Sequence, residues 1–289
     1  MKCIYYPGCS QKASSISYEK SFLAIAKILG IDVIELDDWN CCGTTVTVSV
    51  NEILSLTLSA RNLAIAEPTK LPVVAPCPSC YSTLNKVNKH FKENSRFIEK
   101  INAALNKGGL QYNGKVEVFN ILDFLVNKVG VDKIKDKVVN PLKDIKVAPY
   151  YGCQIVNPYA TGDDNNNPQN LEIIIKALGG TAVDFPHRTI CCGGSLMFTK
   201  KAQAEDMCSV ILKSINNESA DMVVTPCGLC QINLDTAKNL SSHFNGKKLS
   251  IPVLTITQLI GIALGIKNSE LGITKNELQS KQKVSAVLE

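Results

Sequence analysis

Short apolar runs alternate with longer stretches of helical periodicity along this chain, and the whole alternation occurs twice. In the first half, residues 2–6, 32–36, 73–75 and 116–119 read as strands, each brief, rich in β-branched or aromatic residues and bounded by turn formers. Apolar positions three and four apart predict helices over 17–29, 45–65 and 79–90. The second half follows the same rhythm, with strands over 146–150, 181–184, 222–225 and 252–255 and helices over 168–178, 196–215 and 229–237. Strands separated by helical crossovers pair in parallel. The expected fold class is therefore α/β: two tandem homologous domains, 1–144 and 145–289, each a small parallel sheet flanked by helices, related by a pseudo-two-fold axis. The lysine-rich stretch 133–146 lies at the join.

The cysteines repeat with the elements. Cys9, the pair Cys41-Cys42-Gly43 and Cys77-Pro78-Ser79-Cys80 recur in the same order as Cys153, Cys191-Cys192-Gly193 and Cys227-Gly228-Leu229-Cys230. Cys42 and Cys77 stand as far apart as Cys192 and Cys227 do. The flanks agree too: Tyr5-Tyr6-Pro7-Gly8-Cys9 matches Pro149-Tyr150-Tyr151-Gly152-Cys153, and Val73-Val74-Ala75-Pro76-Cys77 matches Val223-Val224-Thr225-Pro226-Cys227. Each cysteine element follows a predicted strand, so all three converge at the carboxyl edge of the sheet, where open α/β folds bind ligands. Gly8, Gly43, Gly152, Gly193 and Gly194 give the backbone room to approach a bulky centre, or serve as plain turn residues. Pro76 and Pro226 stop the strand before each Cys-x-x-Cys.

Composition narrows the partners. The chain of 289 residues is 45% hydrophobic and 20% charged, as in ordinary globular proteins. Its net charge of +5 is dispersed, without the basic runs of a nucleic-acid-binding tail, so nucleic acid is not an expected partner. The N-terminus reads as a strand rather than a secretory leader, and the apolar stretch 251–266 is too short and too interrupted by polar residues to span a bilayer. The expectation is a cytoplasmic protein with no direct membrane insertion. In that reducing compartment, twelve cysteines point to metal rather than disulfides.

Three chemistries fit the thiols. Structural zinc takes four ligands and leaves one thiolate spare in each half. A Cys-x-x-Cys opening a helix suits thiol–disulfide exchange, but accounts for only part of each set. Iron–sulfur clusters are held by cysteine thiolates, though the ferredoxin spacing is absent here. The adjacent pairs Cys41-Cys42 and Cys191-Cys192 suggest ligation of neighbouring irons in an unusual centre.

The pattern Cys, Cys-Cys-Gly, Cys-x-x-Cys, twice over nearly the whole chain, resembles the tandem cysteine-rich CCG domains of the B subunit of heterodisulfide reductase. That resemblance implies a noncubane [4Fe-4S] cluster in each half, on Cys9, Cys41, Cys42, Cys77 and Cys80 and on Cys153, Cys191, Cys192, Cys227 and Cys230. It further implies reduction of a disulfide such as the coenzyme M–coenzyme B heterodisulfide to two thiols between the clusters. The implied partners are the other two members of a heterodisulfide reductase complex, a cubane iron–sulfur subunit (the C type) and a flavin subunit (the A type). Two alternatives stand beside it: an electron-transfer CCG-domain subunit of a lactate-, glycolate- or quinone-linked dehydrogenase, and a zinc-binding assembly protein. His187 and Arg188, close before Cys191, are candidates to donate a proton or hold an anionic group, or else a solvated loop pair. Cys3 and Cys208 fall outside the repeat and read as packed thiols. The polar segment 268–289 is expected to be a surface helix or tail.

Overall fold

The computed structural model describes residues 1–44, 46–158, 163–239, 249 and 251–273. The strands are β1 Lys2–Tyr5, β2 Asp32–Glu35, β3 Val73–Val74, β4 Val118–Phe119, β5 Lys146–Pro149, β6 Thr181–Ala182, β7 Met222–Thr225 and β8 Val253–Thr255. They form two separate four-stranded sheets of identical order, β2-β1-β3-β4 and β6-β5-β7-β8, parallel throughout. In each sheet the chain reverses its direction of travel between the two central strands, so the β1/β3 and β5/β7 borders are the topological switch points.

Helices cover the sheets. The first domain carries α1 Gly8–Gln11, α2 Ile16–Ile28, α3 Val46–Val50, α4 Glu52–Ala66, α5 Pro78–Glu93, α6 Ser95–Asn106, α7 Ile121–Asp123 and α8 Val131–Lys135. The second carries α9 Asn170–Ala177, α10 Leu196–Thr199, α11 Lys201–Asn217, α12 Gly228–Ala237 and α13 Ile256–Ala263.

Two predicted helices are each broken in two. The expected helix 45–65 divides at Asn51, which is extended (φ −155°) and whose side chain accepts from Leu54 N at 3.0 Å, capping α4. The expected helix 196–215 divides at Lys200 (φ −140°, ψ 65°). Beyond the predicted helices lie α6 and α13, besides the short α1, α7 and α8. Phe97, Ile101 and Leu105, one turn apart, bury the inner face of α6. The apolar stretch 251–266 contains β8 and α13, joined by a capping box in which Thr255 and Gln258 satisfy each other's backbone. Among the described residues no helix is long and apolar enough to cross a membrane. Of the segment 268–289, residues 274–289 lie outside the described residues.

The domains share one core. α2 of the first domain packs on α13 of the second, and Phe22, Ile25 and Leu29 lie in the same buried cluster as Leu259, Ile260 and Ala263. A buried hydrogen bond of 2.6 Å between the Ser21 and Thr257 hydroxyls pins that contact. This shared core fixes the carboxyl edges of the two sheets relative to one another, and those edges carry the cysteines.

Candidate metal centre

The first site is built where β1, β2 and β3 end. Cys9 lies in α1, directly after β1, and Cys77 precedes the first turn of α5, which contains Cys80. Gly8 is left-handed (φ +60°), and a Cβ there would stand 2.9 Å from the Cys80 sulfur, so the glycine keeps the thiols clear of backbone substituents. Cys41 and Cys42 lie in the turn between β2 and α3. That turn is tied at several points: Tyr6 Oη donates to Asn40 O at 2.8 Å, Ser59 Oγ to Cys42 O at 2.7 Å and Ser55 Oγ to Gly43 O at 2.8 Å. All five free thiols interact, with Cys9 near Cys41, Cys41 hydrogen-bonded to Cys42, Cys42 to Cys80 and Cys80 to Cys77.

The second site repeats this geometry. Gly152 (φ +71°) faces the Cys230 sulfur, which a Cβ would approach to 3.1 Å. Tyr150 Oη donates to Ile190 O at 2.8 Å, as Tyr6 does to Asn40. Cys153 is hydrogen-bonded to Cys191 and Cys191 to Cys192, the sulfurs of Cys192 and Cys230 are 3.4 Å apart, and Cys230 is hydrogen-bonded to Cys227.

The thiols of each site divide their protons unequally. The thiol of Cys41, then that of Cys80, holds Cys42 down to about 4, and Cys191 and Cys230 hold Cys192 down to about 3. Cys77 is drawn down to about 7 by the Cys80 thiol, while Cys41, Cys80, Cys191 and Cys230 are pushed up by donating to those neighbours and by burial. Each site thus offers one ready thiolate at its centre, held by neighbouring thiols that donate to it and become ligands when a metal displaces their protons. Among the described residues no three side chains converge closely enough to hold a single metal ion. Five thiols gathered at a glycine-flanked sheet edge would suit a polynuclear iron–sulfur core, which thiolates hold.

The two sites meet across the shared core. Tyr18, fully buried in α2, donates to Pro226 O at 2.9 Å, and the charges of both Cys227 and Cys77 reach its hydroxyl. Ser79, inside the first Cys-x-x-Cys, donates to the side chain of Gln154, the neighbour of Cys153. Gly228, inside the second, lies against α2 so tightly that a Cβ would fall 2.2 Å from Ser15 Oγ.

The residues outside the repeat have definite places. Cys208 is buried in α11 and its thiol donates to Cys192 O at 3.2 Å, the service Ser59 performs for Cys42. Cys3 is buried in β1, and burial pushes its thiol up to about 12. Arg188 donates to Glu172 at 2.7 Å and to Asn167, while its carbonyl accepts from Tyr151 N and Gly152 N at 2.8 and 3.2 Å. It therefore braces the turn that delivers Cys153. His187 is half-buried beside it, with Nδ1 buried and without a hydrogen-bond partner. Sequence reasoning missed Ser59, Asn233 and Tyr18. An overlay of the two halves from the cysteine pairs sets Ser59 one residue off Cys208 and Asn233 on Thr83, so it hides the first and shows the second only as a difference, and Tyr18 depends on how the domains dock.

Comparison with known proteins agrees with this architecture. The family model described as "CCG: Cysteine-rich domain" matches residues 3–85 and again 147–235. The chain is 36% identical over 278 residues, covering 96% of each chain, to the 8-methylmenaquinol:fumarate reductase membrane anchor subunit of Wolinella succinogenes. It is 29% identical over 289 residues, 98% of this chain and 93% of the relative, to the B subunit of the ferredoxin/F(420)H(2)-dependent CoB-CoM heterodisulfide reductase of Methanosarcina acetivorans. A crystal structure of a hypothetical protein from Helicobacter pylori shares the fold with a TM-score of 0.73 at 16% identity, over 94% of this chain and only 50% of that longer one. With both halves matched by the same model, each around its own five thiols, the chain belongs to the cysteine-rich CCG-domain family.

Proposed function

We propose that this chain is the two-centre iron–sulfur component of a quinone-linked oxidoreductase complex, working on the cytoplasmic side at the membrane surface. Cys9, Cys41, Cys42, Cys77 and Cys80 would hold one noncubane [4Fe-4S] cluster, and Cys153, Cys191, Cys192, Cys227 and Cys230 the other. The observation that carries this reading is the meeting of two equivalent five-thiol sites at Tyr18, within one shared core. When bound, such clusters supply one-electron redox chemistry. Two one-electron sites held side by side suit a partner that gains or loses electrons in pairs, as quinones and disulfides both do.

The chain's own residues favour the quinone. Directly after each cysteine pair stands a short helix with bare apolar side chains: Val46 is 74% and Val50 80% exposed on α3, and Phe198 is 73% exposed on α10. Exposed Lys200 and Lys201 follow Phe198, the arrangement of a segment resting at a lipid headgroup boundary. The Wolinella relative is named a membrane anchor, and no described helix here is able to span a bilayer, so attachment through such a rim supports the same reading.

A second reading is reduction of a disulfide such as the coenzyme M–coenzyme B heterodisulfide, with a C-type cubane protein and an A-type flavin protein as partners. The full-length similarity to the B subunits of heterodisulfide reductases favours it. Anaerobic loading with iron and sulfide, followed by paramagnetic resonance during titration, separates the two. The quinone reading expects both centres to be oxidised by a water-soluble quinone and left unperturbed by thiols; thiol-induced signals with no quinone response would reverse the order. Zinc without acid-labile sulfide in the purified chain would overturn both.

A further inference from the structure

One difference between the sites lies at the sulfur itself. Asn233, three residues beyond Cys230 on α12, is fully buried and points its amide nitrogen at Gly194 O (3.0 Å), Cys192 O (3.2 Å) and the Cys192 sulfur (3.5 Å). Two carbonyl oxygens on that side fix the orientation of the amide, since only N–H groups can face them. At the other end, Asn233 Oδ1 is buried without a hydrogen-bond partner among the described residues, the cost of that orientation. Three residues beyond Cys80 the first domain has Thr83, whose hydroxyl donates back to Ser79 O at 2.9 Å instead.

Exposure differs as well. Cys9 and Cys41 are exposed, whereas Cys153 and Cys191 are half-buried. Burial alone makes a centre harder to reduce, because added negative charge is less well solvated. A hydrogen bond to a ligand sulfur acts in the opposite sense, drawing off charge and favouring the reduced form.

We infer that Asn233 is a positioning residue that offsets the deeper burial of the second site, its amide at the Cys192 sulfur making the centre there easier to reduce than the first domain's threonine would. The inference rests on the two-cluster reading above. It has a direct physical consequence, because two sites that pass electrons as a pair work best at matched potentials. One electron enters each centre from a single quinol, which leaves as the quinone with its two protons released to solvent, and none is left on a protein side chain.

The test is a reductive titration of the full-length chain, loaded anaerobically and followed by paramagnetic resonance, with the second centre isolated in a Cys42→Ser background. Replacing Asn233 by threonine is expected to weaken its reduction about tenfold, a fall of about 59 mV for one electron, with iron content unchanged. An unchanged or higher midpoint at full iron content overturns the inference. Where Asn233→Thr costs iron, the reciprocal graft Thr83→Asn decides, read on the first centre in a Cys192→Ser background: a raised midpoint supports the inference and an unmoved one overturns it. Failure of the underlying reading is seen separately, as absence of acid-labile sulfide from the unsubstituted chain.

Discussion

Cys42 and Cys192 occupy the same place in two turns that are tied down by different chemistry. A serine hydroxyl holds the Cys42 carbonyl and a cysteine thiol holds that of Cys192. The residue before the pair is Asn40 in one turn, where its side chain also donates to Cys41 O at 2.8 Å, and Ile190 in the other. The tyrosine bond to that residue's carbonyl, the left-handed glycine beside the Cys-x-x-Cys and the order of thiol contacts are common to both. What the two sites share is therefore a set of positions and donors, and side-chain identity is free wherever another group donates to the same carbonyl.

The strongest way to break that comparison is to remove a central thiolate. Cys42→Ser and Cys192→Ser are each expected to abolish one centre and leave the other, so iron and acid-labile sulfide both fall by about half. Loss of all iron from either variant would mean the sites load as one unit. Next comes the place where the halves touch. Gly228→Ala brings a Cβ to 2.2 Å from Ser15 Oγ and 2.8 Å from Ser15 Cβ, on helices fixed by the shared core. It should cost about 1–3 kcal/mol of stability, measured by denaturant unfolding, and Ser15→Gly should restore part of the loss.

Gly8→Ala and Gly152→Ala sharpen the match between the sites. Both positions are left-handed, at φ +60° and +71°, so each change should cost about 1–2 kcal/mol. Metal-free protein reports the backbone cost, and iron content reports the crowding of Cys80 or Cys230. The smallest effect is expected at Cys208. Its conversion to serine copies the first domain and should shift stability by less than about 0.5 kcal/mol, whereas Cys208→Val removes one of two donors to Cys192 O, Asn233 keeping the other, and should cost about 0.5–1.5 kcal/mol. Equal stabilities for the serine and valine variants would show that the bond to Cys192 O contributes nothing.

Much of this architecture is legible in the sequence. The eight strands and their parallel pairing follow from short apolar runs separated by helical stretches, and the ten repeated cysteines are the ones the fold gathers into two groups of five. The breaks at Asn51 and Lys200 are hidden because apolar periodicity runs through both; a capping side chain and one extended residue override it locally. α13 is hidden by being buried all round, which erases the polar face that marks a surface helix. Arg188 is legible as a cation near Cys191, but not the carboxylate of Glu172 that occupies it. The docking of α2 on α13 is out of reach, since it joins residues with no common motif.

That docking bears on how the protein is made. Ser21 finds its partner 236 residues later in the chain, and Tyr18 finds its own 208 residues later. On the ribosome the first domain therefore emerges with the part of α2 that α13 covers still open, and it stays so until nearly all of the described chain has been synthesised. Contacts this distant close slowly. Iron delivered before release would meet a first site whose neighbour, the second Cys-x-x-Cys helix, has not yet packed against α2.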